Sequence, residues 1–252
     1  MWIVARQRLR CRVANDLPDV ERIIWAAIPA VPPSGAEKIT APVQVPAGGQ
    51  RHAAGPARER VAWSDMETRR IVVGDHAWTV RIGGSQSRHT VVLLPDTDAP
   101  VDVYDQVCTR LHTSDLRTIA FETLDGLDAP SVYAVLDDLG VPWTNLVGCG
   151  AGADLAWQLA ARGFGRFMGL VAAGRGHPAG AGADGTVADS TCPPVEIPAT
   201  VIATKHLPRT LADASGRYVY GEFRVAQVDV ADPATEAAQE LATEIVLRSG
   251  LW

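Results

Sequence analysis

The chain has 252 residues, 47% hydrophobic and 21% charged, with a formal net charge of -6. A domain of this size buries enough core to fold without metals or disulfides, and four scattered cysteines (Cys11, Cys108, Cys149, Cys192) have neither zinc-site nor disulfide-framework spacing. The acidic balance, without a basic cluster, argues against nucleic-acid binding, and no apolar run approaches the ~20 residues of a membrane helix.

Residues 1–65 read as an N-terminal arm. Pro29, Pro32, Pro33, Pro42, Pro46 and Pro56, with Gly48-Gly49, interrupt any long periodic pattern. One short helix is expected at Asp19–Ile28, with Ile23, Ile24, Trp25 and Ile28 as its docking side. Residues 29–62 read as an extended linker. The arginines at positions 6, 8, 10 and 12 are not followed by the apolar segment of a secretory signal, so a soluble, cytoplasmic protein is expected. Lysine occurs only at Lys38 and Lys205, an arginine bias that suits a GC-rich bacterial genome.

A second domain is expected over 66–252. Arg69–Val73 and Trp78–Ile82 flank Gly74-Asp75, a hairpin signal. Thr90–Leu94 is a continuous apolar run, as in a strand buried on both faces. A helix is expected at Val101–Leu111, a strand at Thr118–Phe121, and a helix at Val132–Leu139 ended by Gly140 and Pro142. Next come strand Asn145–Val147, helix Asp154–Ala161 and strand Met168–Ala172. A Gly/Ala/Pro-rich loop, flexible by composition, spans Gly174–Pro198. Strands Thr200–Thr204 and Phe223–Val228 and a helix near Thr235–Leu247 complete the chain. The alternation predicts an α/β fold with a mostly parallel sheet and helices on both faces.

The sharpest local feature is Gly148-Cys149-Gly150-Ala151-Gly152, a Gly-rich turn between a strand and a helix. It resembles the nucleophile elbow of the α/β-hydrolase family, Gly-x-Ser-x-Gly. The resemblance covers about 69–252 and is strongest over 132–173, where Leu136-Asp137-Asp138-Leu139-Gly140-Val141, Asn145-Leu146-Val147-Gly148, Leu155-Ala156, Leu159-Ala160-Ala161-Arg162 and Gly169-Leu170-Val171 keep the family order and spacing. It implies an α/β-hydrolase-like fold, here without a substantial cap domain, because only Gly174–Pro198 occupies the usual insertion point.

Carried over position by position, the resemblance implies a degenerate, non-catalytic member. Gly150 stands where the nucleophile belongs and has no side chain. The family's strained elbow costs an ordinary residue about 1–3 kcal/mol, whereas glycine enters it freely. Pro95-Asp96 replaces the usual His-Gly of the oxyanion loop; Pro95 has no N–H, and an ionised Asp96 opposes a developing oxyanion. No carboxylate follows Thr204 until Asp213, and no histidine follows His206, so the acid and the histidine are also missing from their expected places. The implied pocket comprises Asp96, Thr97, Cys149, Gly150, Ala151 and His177, with the Gly174–Pro198 loop as a lid.

The leading expectation is therefore a pseudoenzyme that binds a small molecule or a protein partner, with no cofactor and no metal. Homo-oligomerisation or partner capture through the N-terminal arm is left open. One alternative is an enzyme (hydrolase, lyase or secondary-metabolite biosynthetic enzyme) with a displaced constellation, Cys149 or Asp96 acting with His177 or His206. A shifted Gly-x-Cys-x-Gly register, similar to dienelactone-hydrolase-like enzymes, would make Cys149 the nucleophile but sets Val147 where a small residue is needed. Gly148–Gly152 also resembles the glycine loop of S-adenosylmethionine-dependent methyltransferases, although no acidic residue follows the next strand, Leu170-Val171-Ala172-Ala173, to hold ribose hydroxyls. A dinucleotide fingerprint fails for the same missing acid.

Overall fold

The computed structural model describes residues 66–87 and 89–250; the expected arm and its helix lie outside them. Eight strands form one sheet in the order β1-β2-β4-β3-β5-β6-β7-β8. They are β1 Glu67–Val73, β2 His76–Gly83, β3 Thr90–Leu94, β4 Arg117–Phe121, β5 Thr144–Cys149, β6 Phe167–Ala173, β7 Ala199–Ala203 and β8 Phe223–Gln227. The β1–β2 hairpin turns at Gly74, whose φ of +60° suits glycine. β2 pairs antiparallel with β4, and the remaining pairs are parallel. The α/β reading with a mostly parallel sheet is thus the observed architecture.

The central strands read as apolar runs because both of their faces are covered. In β3, Val92 and Leu94 join one core while Val91 and Leu93 join the other. Burying a leucine of this kind stabilises the fold by about 1.5–3 kcal/mol. Helices α2 (Ala129–Asp138), α3 (Ala151–Arg162) and α4 (Arg209–Ala214) supply Val132, Leu136, Ala156, Trp157 and Ala212 to the first core. Helices α1 (Asp105–Thr113), α5 (Pro233–Glu236) and α6 (Ala238–Ser249) supply Val107, Leu111, Ala234, Leu241 and Ile245 to the second. Asp128 starts α2 by accepting from Ser131 N at 2.9 Å, with proline in the first turn.

Several element boundaries shift by a few residues, and three differences from expectation are larger. The first helix begins four residues late, at Asp105, because turns occupy the preceding positions. The short helix α4 escaped the periodicity reading. The last expected helix is two: Asp232 caps α5, and Ala237, at φ -138° and ψ 43°, breaks the path before α6. The Gly174–Pro198 loop is also more firmly fixed than its composition suggests. An antiparallel bridge joins Ala181 to Val187, and a parallel bridge joins Val195 to Val219. Arg162 pairs with Asp189 at 3.0 Å, and the indole N–H of Trp157 donates to Arg175 O at 3.3 Å.

The sheet order locates the site. The chain runs outward from β3 to β4 and returns to β5 on the other side of β3. The loops after β3 and β5 therefore diverge at their carboxyl ends and open a crevice, the usual ligand position in parallel sheets. Asp96 lies after β3, and Gly150 lies after β5.

Candidate functional site

Two glycines bring α3 close to the sheet. A Cβ on Gly148 would overlap the backbone of Gly152 and Ala153, and a Cβ on Gly152 would overlap the carbonyls of Leu94 and Pro95. Between them Gly150 adopts φ 54° and ψ -126° as it caps α3. This sharp bend leaves the first amides of α3 facing the crevice, where they attract negative charge.

A carboxylate of the chain itself fills that position. Asp96 Oδ1 accepts from Thr97 N at 2.8 Å and from Ala151 N at 2.8 Å. Ala151 follows the nucleophile position, and Thr97 belongs to the loop after β3. These are the two places from which an α/β-hydrolase elbow draws its oxyanion-hole amides. The Asp96 carboxyl also occupies the space above the bend: a Cβ added to Gly150 would fall well inside 3.0 Å of Asp96 Oδ2, Cγ and Oδ1. Asp96 and the bare Gly150 are sterically complementary.

Around this centre lies a cleft of about 700 Å³. Asp96, Cys149, Gly150 and His177 line it, as do Asp154, Arg175, Asp184, His206 and Asp232. Thr97 and Ala151 enter through their amides rather than as lining side chains. Asp154 pairs with Arg175 at 3.4 Å. Burial pushes the Asp154 carboxyl up, Arg175 opposes this, and the charge of Asp96 adds to it. Asp232 stands after β8, where the family places its histidine, and serves as a helix cap: Oδ1 accepts from Ala234 N at 3.0 Å and Oδ2 from Thr235 Oγ1 at 2.7 Å.

The sulfur and imidazole groups are differently disposed. Cys149 is 4% exposed and belongs to the core under α1 and α6. Burial pushes its thiol up to about 12, with the Tyr104 hydroxyl opposing the rise. Tyr104 is itself buried and donates to Leu94 O at 2.7 Å. His177 is 2% exposed, stacks on Tyr218 at 4.5 Å between ring centroids, and meets Trp157 edge-on at 5.1 Å. Its Nδ1 accepts from Ala179 N at 3.2 Å, leaving Nε2 to donate to Pro193 O at 3.1 Å. Burial holds its pKa below the ordinary imidazole value. A ring with both nitrogens engaged anchors the 174–198 loop and has none free to take a proton. His206 is exposed at the cleft. Among the described residues, no three His, Cys, Asp or Glu side chains are grouped as a metal site.

Sequence reasoning did not single out Asp154, Arg175 or Asp184 as lining residues. Asp154 lies four residues past Gly150 on α3, so helical spacing carries that signal. Arg175 and Asp184 sit in the loop after β6, whose path the sequence leaves undefined.

The strand order, the glycine bend and the crevice define an α/β-hydrolase fold, and solved structures agree. The domain is similar to a hydrolase from Pseudomonas aeruginosa PA01, with a TM-score of 0.60 and 14% identity over 73% of this chain and 98% of that one. It is similar to the enol-lactonase from Burkholderia xenovorans LB400 at TM-score 0.58, with 13% identity over 71% of this chain and 99% of that one. An epoxide hydrolase from Vigna radiata aligns at TM-score 0.58, with 13% identity over 74% and 98%. No family profile and no curated protein matches the sequence. No helix among the described residues is long and apolar enough to cross a membrane.

Proposed function

We propose that this protein is a non-hydrolytic member of the α/β-hydrolase family, a pseudoenzyme that binds a small molecule in the cleft above Gly150. The carrying observation is the Asp96 carboxyl. It sits over the bend where an attacking oxygen would project, and its Oδ1 takes both amides that would hold a developing oxyanion. Removing one oxyanion donor costs an acyl-transfer enzyme about 10²–10³ in rate. Here a fixed negative charge covers both donors, and an ester carbonyl drawn toward them meets repulsion.

The displaced-constellation reading has weaker support. Cys149 is protonated at neutral pH and packed in the core, and both nitrogens of His177 are occupied. Asp96 with His206 is the remaining pair, both at the cleft. A cytoplasmic location belongs to the same proposal. Cys108, Cys149 and Cys192 are free thiols, as suits a reducing compartment. A protein partner and oligomerisation through residues 1–65 remain the other options for the role.

The test is turnover of p-nitrophenyl acetate and butyrate by the purified chain beside Asp96→Ala, His206→Ala and Cys149→Ala. The expected result is no rate above buffer that any of the three substitutions abolishes. A saturable rate lost in one of them refutes the reading.

A further inference from the structure

This inference concerns access to the cleft, and it rests on the reading of that cleft as the binding site. The loop after β6 forms one wall, and its tip is a small hairpin. Ala181 bridges Val187, and Gly182 N donates to Thr186 O at 2.7 Å. Ala181, Asp184, Thr186 and Ala188 line the cleft from this tip. No residue from 181 to 188 is buried. The hairpin therefore has no apolar anchor of its own, and the ties at its two legs hold it in place. At one leg Asp189 pairs with Arg162. At the other, Ala179 is held on both sides: its carbonyl accepts from Tyr218 Oη at 2.8 Å, and its N–H donates to His177 Nδ1 at 3.2 Å. Asp189 N joins the legs by donating to Pro178 O at 3.0 Å.

We infer that His177 is a proton-operated latch on this hairpin, which walls the cleft while the ring is neutral and swings clear when the ring takes a proton. The ring is fixed in its slot. It stacks on Tyr218 and meets Trp157 edge-on, and the backbone N–H of His177 donates to Ser215 Oγ at 2.9 Å. In the neutral ring Nδ1 accepts and Nε2 donates to Pro193 O. An imidazolium carries a proton on both nitrogens, so Nδ1–H faces the Ala179 N–H, donor against donor. Pro193 O accepts from either form, but a backbone amide cannot reverse its role. Relief comes from moving Ala179 and the hairpin leg with it. His112 is the contrast: burial holds it low too, but its partner is the Thr118 hydroxyl, which turns to accept or donate.

The groups around His177 make the closed state intolerant of the charge. From the loop, Asp189 favours the charged form, but its carboxylate is taken up by Arg162 and by the amide and hydroxyl of Thr191. Cys192 shares Pro193 O through Sγ at 3.8 Å, and burial pushes its thiol up. Arg175 is paired with Asp154 of α3, which otherwise presents the indole of Trp157. The 3₁₀ turn Ser215–Tyr218 brings the Tyr218 ring and, 4.7 Å over it, the guanidinium of Arg217. A charged imidazole gains some cation–π attraction from that ring, but Arg217 already occupies it. The charges of α4, Arg209 and Asp213, pair with each other at 3.7 Å. As pH falls below the ordinary imidazole value of about 6.5, the open form takes up the proton and the closed form does not. The open fraction then rises about tenfold per pH unit until the closed ring also titrates.

The test needs no ligand. Amide hydrogen exchange of the full-length chain is followed by mass spectrometry from about pH 7.5 to 5, each rate divided by the intrinsic chemical rate at that pH. Protection over residues 176–190 should hold near neutral pH and fall about tenfold for each unit below about 6.5, while β3 and β5 keep theirs. His177→Gln has no titrating ring and should flatten the curve. Tyr218→Phe keeps the stack but drops the bond to Ala179 O, and should lower protection at every pH without moving the onset. In the wild-type chain, NMR of the His177 ring should show it protonating over the range in which protection falls, a readout that stands even if His177→Gln does not fold. Protection that ignores pH, a fall that persists in His177→Gln, one that follows His206 instead, or one shared by β3 and β5 would overturn the assignment. The hairpin opens or stays shut with no molecule bound, so the latch and the binding reading fail separately.

Discussion

Restoring a side chain at the bend is the sharpest perturbation of this site. In Gly150→Ala the new Cβ enters the space of the Asp96 carboxyl. Asp96 is exposed and can turn away, so the steric cost is capped by what it loses: its bonds to Thr97 N and Ala151 N. At about 0.5–1 kcal/mol each for solvent-accessible bonds, that is about 1–2 kcal/mol. Placing a side-chain-bearing residue at φ 54° adds about 1–3 kcal/mol of backbone strain. The single substitution should therefore cost about 2–5 kcal/mol. For a domain of this size that lowers Tm by roughly 5–15 °C. The diagnostic quantity is the coupling. Asp96→Ala alone should cost about 1–2 kcal/mol, and the double variant should cost no more than Gly150→Ala, because the two bonds are lost only once. Urea denaturation of the four proteins measures this cycle. A coupling energy of about 1–2 kcal/mol supports the packing of Asp96 over Gly150. Additivity within about 0.5 kcal/mol refutes it.

Three further outcomes follow from the same geometry. Cys149, with its thiol pushed up to about 12, should resist iodoacetamide at pH 8 in the native protein and react fully in urea, as peptide mass spectrometry would reveal. His177 has a depressed pKa, so the unfolded state binds its proton first as pH falls. Its contribution is whole above the ordinary imidazole value, near about 6.5, and is lost as pH drops through the depressed one. His112 is held low by burial too, so Tm should fall on acidification from about pH 7.5 to 5 and fall less in His177→Gln. Arg248 is 3% exposed and bonds Thr200 Oγ1 at 2.7 Å and Ala199 O at 3.4 Å. Arg248→Ala should cost about 2–4 kcal/mol and Arg248→Met less, since methionine refills the volume. Denaturation midpoints decide the order.

The fold was largely legible from local pattern. β3 is a run of five apolar or β-branched residues, and such runs need cover on both faces. The hairpin was announced by Gly74-Asp75 and the elbow by three glycines, of which Gly148 and Gly152 lack the Cβ atoms that would hold α3 off the sheet. Helix α4 was not legible because six residues are too few for a period to register. The break at Ala237 was hidden because apolar spacing runs through both α5 and α6. At the site, the sequence indicated that Gly150 lacks a reactive atom and that Asp96 lies in the oxyanion loop. It could not indicate that Asp96 folds back onto Ala151, a contact 55 residues away in the chain. The loop after β6 has a flexible composition, since glycine and alanine carry no packing signal. Its ties join distant segments, such as the stacking of His177 on Tyr218 and the bridge of Val195 to Val219.

The seating of Asp96 on the two amides carries the account, and NMR reads it directly. The amide protons of Thr97 and Ala151 would be compared in the labelled protein and in Asp96→Ala under one set of conditions. Both should move upfield and exchange faster in the variant, because each loses its carboxylate acceptor. Amides indifferent to Asp96 would contradict the account and return both donors to the service of an oxyanion.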